Sequence, residues 1–144
     1  PSSHVVTSND VGMVRIYMKP KEKAPGKGRA LWGSRPLYRE LVLAAKAAGL
    51  MNAVAHHTHY GYSNHGRVER EDAEIANPEL TMCVELVGHR GELEEFCRSN
   101  GGLLAGKVII FKHIEHWSIN KKGNDLLEET LPTEEDEKAL VESA

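Results

Sequence analysis

The hydrophobic period of this chain switches between two and 3.6 residues, and the order of the switches limits the folds open to it. In "VGMVRIYM", Val14, Ile16 and Met18 alternate with Met13, Arg15 and Tyr17, the pattern of a half-buried strand over 11–18. In "PLYRELVLAAKAAGL", Leu37, Leu41, Ala44, Ala45 and Ala48 form a helical stripe. Ser34 is placed to cap this helix, Pro36 falls in its first turn, and Gly49 supplies the stop. Residues 51–60 read as a second strand, and 80–87 as a third with Leu80, Met82, Val84 and Leu86 on one face. "GELEEFCRSNGG" is a short helix that buries Leu93, Phe96 and Cys97, with Gly101 as its cap, and "KVIIFKHIEHWSI" is a long final strand. Strand, helix, strand, strand, helix, strand is the order of an α+β, ferredoxin-like βαββαβ fold, with a long loop between the second and third strands.

Helices on one side leave the other sheet face open. Both faces of the last strand are apolar, with Ile109 and Phe111 on one and Val108, Ile110 and Ile114 on the other. An exposed apolar sheet face implies association, so a homo-oligomer is expected. No window approaches 18 consecutive apolar residues, which argues against a membrane-embedded protein. The opening "PSSHVVTSND" lacks the basic start and apolar core of a signal peptide, and Cys83 and Cys97 lie in apolar segments as two reduced core thiols. A cytoplasmic location is the matching expectation.

The insertion "KPKEKAPGKGRALWGSR", residues 19–35, carries six basic residues against one acid and reads as an exposed loop. Residues 61–78 form a second polar loop, long enough to suggest a function. From 123 to 144, eight acids against one lysine give −7, so the net charge of −3 leaves +4 on the first 122 residues. A mildly basic body suits phosphate-bearing ligands, but the charge is too small to indicate nucleic acid. The expected organisation is a flexible N-terminal segment over 1–10, a domain over 11–122 and an acidic tail over 123–144, where Thr133 is placed to cap a short helix.

"GGLLAGK", residues 101–107, approaches the phosphate-loop pattern and fails it twice. Val108 follows Lys107, so no hydroxyl is available for magnesium, and the segment leads into a strand instead of a helix. What survives is a glycine-bounded loop of backbone donors with a lysine at its exit. It can serve as an anion nest or as a plain helix cap and tight turn.

The element order, the long loop and the Gly-x-x-x-x-Gly-Lys turn entering the last strand together resemble the PII-like signalling proteins. The nearest likeness is to their divergent subgroup long catalogued without a function. It covers 12–117 and includes "RPLYRELVLAAKAAGLMNAVAHHTHYGYSNHGRVE". The resemblance implies a homotrimer that binds an adenine nucleotide (ATP, ADP, AMP or cyclic AMP) in clefts between subunits, in some relatives with bicarbonate. It implies that the long loop then engages a partner such as a membrane transporter or its cytoplasmic subunit, one for inorganic carbon among them. By the same resemblance Gly101, Gly102, Gly106 and Lys107 form the phosphate-side turn, Arg67 sits in the mobile loop, and Lys121 and Lys122 follow the last strand as basic phosphate contacts. The chain departs from the nitrogen regulators in having "GLLAGK" for their acidic "GDGK" turn, in its "NKKG" pair and in its longer basic insertion.

"HHTHYGYSNHG" holds four of the eight histidines in eleven residues. On a strand His57 and His59 share a face, opposite His56 and Thr58, and two such imidazoles can chelate Zn²⁺ or Cu²⁺. His57, His59 and His65 therefore define an alternative, a metal-binding trimer of the related cation-tolerance type. The favoured reading of 56–65 is the polar end of a strand at the root of a switching loop, with Tyr60, Gly61, Tyr62 and His65 facing the partner. Trp32 either anchors the basic loop or meets a partner, and Trp117 reads as core or subunit interface. No Ser-His-Asp or Cys-His arrangement suggests catalysis, so a non-enzymatic role is expected.

Overall fold

A computed structural model describes residues 3–24, 35–71 and 77–122, together with 138, 139 and 142. Ser34, Trp32, Thr133, most of the basic insertion and nearly all of the acidic tail lie outside the described residues. Among the described residues the elements run in the order β1 His4–Met18, α1 Leu37–Ala47, β2 Asn52–His57, β3 Tyr60–Gly61, β4 Glu69–Arg70, β5 Met82–Gly88, α2 Arg90–Ser99, α3 Gly101–Leu104 and β6 Val108–Lys121. The result is a mixed α+β chain whose four-stranded sheet has the order β2-β5-β1-β6, beside a two-stranded ladder of β3 and β4.

The larger compact unit spans Asp10–Glu115. Here β5 is the middle of an antiparallel trio, with Ile16 opposite Val84 on β1 and Ala55 opposite Val84 on β2. The period of two puts Val14, Ile16, Met18, Met82, Val84 and Leu86 on one face, all buried. Against it pack Leu37, Leu41 and Ala45 of α1 and Leu93 and Phe96 of α2. The helical stripe is narrower than expected, because Ala48 is exposed at the C-cap and only Leu37, Leu41 and Ala45 are buried. The opposite face carries an ion network in which Glu85 accepts from Arg15 Nε at 2.8 Å and lies 3.3 Å from His56 Nε2. Hydrogen bonding to Glu85 and its charge raise the Arg15 guanidinium further above its ordinary pKa.

Two helix boundaries differ from expectation. Pro36 is the N-cap of α1 and does not sit within its first turn; the Leu37 N–H, one of the amides left over at a helix start, donates to the Glu22 carbonyl at 2.7 Å. Gly101 does not terminate α2, because Asn100 does. Both the Asn100 backbone N–H and its side-chain amide donate to the Phe96 carbonyl, at 3.0 and 2.9 Å, and Gly101 then opens the single-turn α3.

The smaller unit comprises Pro1–Asn9 and His116–Ala144. Residues 4–10, expected as a flexible lead-in, form the first half of β1, so the strand begins seven residues earlier than its alternation suggested. The reason is pairing: Lys122 N–H donates to the Ser3 carbonyl at 3.2 Å, and Thr7 Oγ1 donates to the Ser118 carbonyl at 3.4 Å. Such a ribbon needs no apolar face, and Val5, Val6, Trp117 and Ile119 are exposed on it. Among the described residues no helix is long and apolar enough to cross a membrane.

Gly12 is required by close approach. A Cβ there would stand 2.6 Å from Phe111 Cε2 and 2.9 Å from Leu93 Cδ1. Gly12→Ala should therefore cost about 1–3 kcal/mol of stability, read as a lowered midpoint in urea denaturation.

Candidate functional site

A cleft of about 440 Å³ opens in the larger unit where four segments meet. The exit of β1 supplies Tyr17, Met18, Lys19, Lys21 and Glu22, the loop after β3 supplies Ser63 and Asn64, and the turn into β6 supplies Gly106, Lys107 and Val108. Pro78, Glu79 and Thr81 complete it from the approach to β5. Core residues hold these segments in place. Leu104, 5% exposed, plugs α3 into the apolar cluster one residue before the turn, and Ala24, 9% exposed, does the same for the start of the basic insertion.

Backbone conformation fixes the turn. Gly106 has φ +76°, in the left-handed region that L side chains avoid, and Lys107 N–H donates to the Leu104 carbonyl at 3.1 Å. The expected loop of free donors is therefore corrected. Its first half is a helical turn, in which the Leu103 and Ala105 amides donate to the Asn100 and Gly101 carbonyls, both at 2.9 Å. Gly101 and Gly102 are exposed, with room for a Cβ, and do not line the cleft. Of the expected phosphate-side residues the structure brings Gly106 and Lys107 to the cleft. Arg67 is exposed in the loop and does not line it, and Lys121 and Lys122 belong to the smaller unit.

The cleft is lined by three lysines and two glutamates, and four of these five charges are paired. Lys107 Nζ donates to Glu22 Oε1 and Lys19 Nζ to Glu79 Oε2. The Glu79 contact, first as a hydrogen bond and then as a charge, raises the Lys19 ammonium above its ordinary pKa. Among the described residues Lys21 has no ion-pair partner. Lys19, Lys21 and Glu22 carry no motif that marks them in the sequence, and their only sign was the basic composition of the insertion.

The root of the long loop is zipped shut. Tyr60 pairs with Arg70 and Gly61 with Glu69, and Glu71 N–H donates to the His59 carbonyl at 2.7 Å. His59 Nδ1 and Glu71 Oε2 stand 2.5 Å apart, and Asn77 Nδ2 donates to Glu69 Oε2 at 3.1 Å and to the Arg70 carbonyl at 3.0 Å. Thr58 Oγ1 ties the start of this root to the Thr81 carbonyl. Beyond it Asn64 and His65 adopt φ of 52° and 57°, and Tyr60 and Tyr62 are 73% and 63% exposed. β2 ends at His57, so the alternation expected to bring His57 and His59 to one face stops short of His59. Among the described residues no group of three or more His, Cys, Asp or Glu is placed to hold a metal ion. Both thiols are free; burial raises the pKa of each, and Glu85 adds to the effect at Cys83.

The chain belongs to the DUF190 family, described as Uncharacterized ACR, COG1993, which matches residues 12–116. The match is to a family catalogued as uncharacterized, which agrees with the expectation of a subgroup long catalogued without a function. No curated protein matches the chain. Among solved structures it is similar to CPII, a nitrogen regulatory PII-like protein from Thiomonas intermedia K12 bound to ADP, AMP and bicarbonate. That likeness has 9% identity over 76% of this chain and 98% of the other, with a TM-score of 0.49. It is also similar to a protein proposed as a PII-like signalling protein from Thermus thermophilus, at 13% identity over 77% and 91% of the two chains and a TM-score of 0.45. At such identities and scores these likenesses stand beside the family match and add nothing to it.

Because Gly106 alone of the turn's glycines has a positive φ, Gly106→Ala should cost about 1–2 kcal/mol, while Gly102→Ala leaves the melting temperature within about 2 °C. At pH 7 iodoacetamide should modify Cys83 more slowly in the folded protein than in urea, read by mass spectrometry, since burial suppresses the thiolate.

Proposed function

We propose that the chain is a PII-like regulator that binds an adenine nucleotide (ATP, ADP, AMP or cyclic AMP) with its phosphates at the Gly106–Lys107 turn. The observation that carries this reading is the convergence on one cleft of that turn, Lys19 and Lys21, and the Ser63–Asn64 start of the long loop. Its volume, about 440 Å³, suits a nucleotide-sized ligand, and ammonium groups at a glycine turn suit phosphate. Bicarbonate is the second ligand of the proposal, Arg67, Lys121 and Lys122 are further phosphate contacts offered by resemblance, and Gly101 and Gly102 support the turn.

The functional assembly is a homotrimer with a ferredoxin-like core, acting in the cytoplasm without catalysis. The strand order β2-β5-β1-β6 supports the ferredoxin-like core, and the half-exposed apolar residues Val54 and Ile110 support association. The loop over 61–78 and its root present Tyr60, Gly61, Tyr62 and His65 to a partner, such as a membrane transporter for inorganic carbon. Its zipped root gives the ligand something to bias, because Ser63 and Asn64 line the cleft while the β3–β4 ladder closes residues 62–68 and Thr58 ties the loop's start to the Thr81 carbonyl.

Isothermal calorimetry with the four nucleotides, with and without bicarbonate, tests the reading. At least one should bind, and Lys107→Met should weaken it about ten-fold or more, the effect of losing one charge-assisted hydrogen bond. Binding of none of the four contradicts the proposal. Light scattering should give three times the 16.0 kDa chain mass, and a monomer would contradict the trimer.

A further inference from the structure

We propose that Glu22 is an internal competitor for the anion site: its carboxylate occupies Lys107 in the ligand-free protein, and a phosphate-bearing ligand takes Lys107 from it. The proposal rests on the reading of the cleft as a phosphate site and adds how that site is regulated. Lys107 is the cation at the glycine turn, and it is engaged by Glu22, a residue 85 positions away in the chain. Both side chains are partly sheltered, at 20% and 30% exposure, so the pair is less screened than a surface contact. An incoming phosphate has to break this pair, and it then stands beside a carboxylate of like charge.

Glu22 is also structural. Its carbonyl accepts the first amide of α1, from Leu37 at 2.7 Å, and its carboxylate lies 3.3 Å from the Lys19 N–H. Two residues on, Ala24 N–H donates to the Arg35 carbonyl at 3.1 Å, and Lys23 forms an isolated bridge with Pro36. Residues 22–24 and 35–37 thus form a stem that closes the basic insertion, and the Glu22–Lys107 pair fastens that stem to the turn before β6. Loss of Lys107 to a ligand removes the fastening. The anion site is therefore coupled to the stem of the basic insertion as well as to the long loop.

The test uses the full chain, with ADP and inorganic pyrophosphate as probes. Affinities are measured by calorimetry, and exchange of the Ala24 and Leu37 amides is followed by NMR. Glu22→Gln should raise affinity about five-fold, the effect of removing a competing charge from a partly sheltered pair. In the wild type both amides should exchange faster once ligand binds, and in Glu22→Gln and Lys107→Met they should do so without ligand. Glu79→Gln, which removes another carboxylate lining the same cleft, should leave stem exchange unchanged. Unchanged or weaker binding by Glu22→Gln, or stem exchange slowed by ligand, overturns the proposal. If pyrophosphate binds and responds to Glu22→Gln while ADP does not bind, the nucleotide reading fails and the competition stands. If neither probe binds either protein, both fall.

Discussion

Everything in the larger unit depends on one apolar contact, the buried face of β1 and β5 against α1 and α2. Ile16, Val84 and Leu86 on the sheet meet Leu41 and Leu93 on the helices, and each of these side chains is at most 1% exposed. Burial of this kind stabilises by about 1.5–3 kcal/mol per large side chain, which no contact in the cleft approaches. The same cluster reaches outward through Leu104 and Ala24. Those two residues hold the glycine turn and the stem of the basic insertion, so hydrophobic packing places the polar residues that line the cleft.

Around the cleft, electrostatics is arranged for exchange of partners. Each of two lysines has a carboxylate, and the pairs join segments far apart in the chain. Removing one partner from a sheltered pair leaves an uncompensated charge, so a ligand that replaces a carboxylate with a phosphate is favoured over a neutral one. In the proposed regulation, the outcome depends on which segments the carboxylates belong to. Glu22 sits in the stem and Glu79 beside the end of the long loop, so a change of partner at either lysine is felt outside the cleft.

Local chemistry was legible in the sequence wherever it was periodic. The alternation at Met82, Val84 and Leu86, the helical spacing of Leu37, Leu41 and Ala45, and the stop at Gly49, whose φ is +77°, all stand in the structure. Reading failed where a neighbour in space decided the outcome. Residues 4–10 look like a polar lead-in, yet they extend β1 because a paired ribbon tolerates polar side chains. Gly101 looks like a cap, but Asn100 caps with its own amide. The histidines of "HHTHYGYSNHG" suggested a shared face, and the strand ended at His57. The turn at Gly106 and Lys107 was found from its spacing, whereas Lys19, Lys21 and Glu22 were not, since sequence gives no distance between a lysine and a glutamate 85 residues apart.

Backbone amide chemical-shift mapping with ADP tests most directly whether the cleft is a nucleotide site. If the nucleotide binds in the cleft, the largest shifts fall on lining residues, Lys19, Lys21, Glu22, Ser63, Asn64, Gly106 and Lys107 among them. Shifts confined to a second groove of the larger unit, lined in part by Arg90, Leu93, Cys97 and Phe111, or an unchanged spectrum, would contradict it.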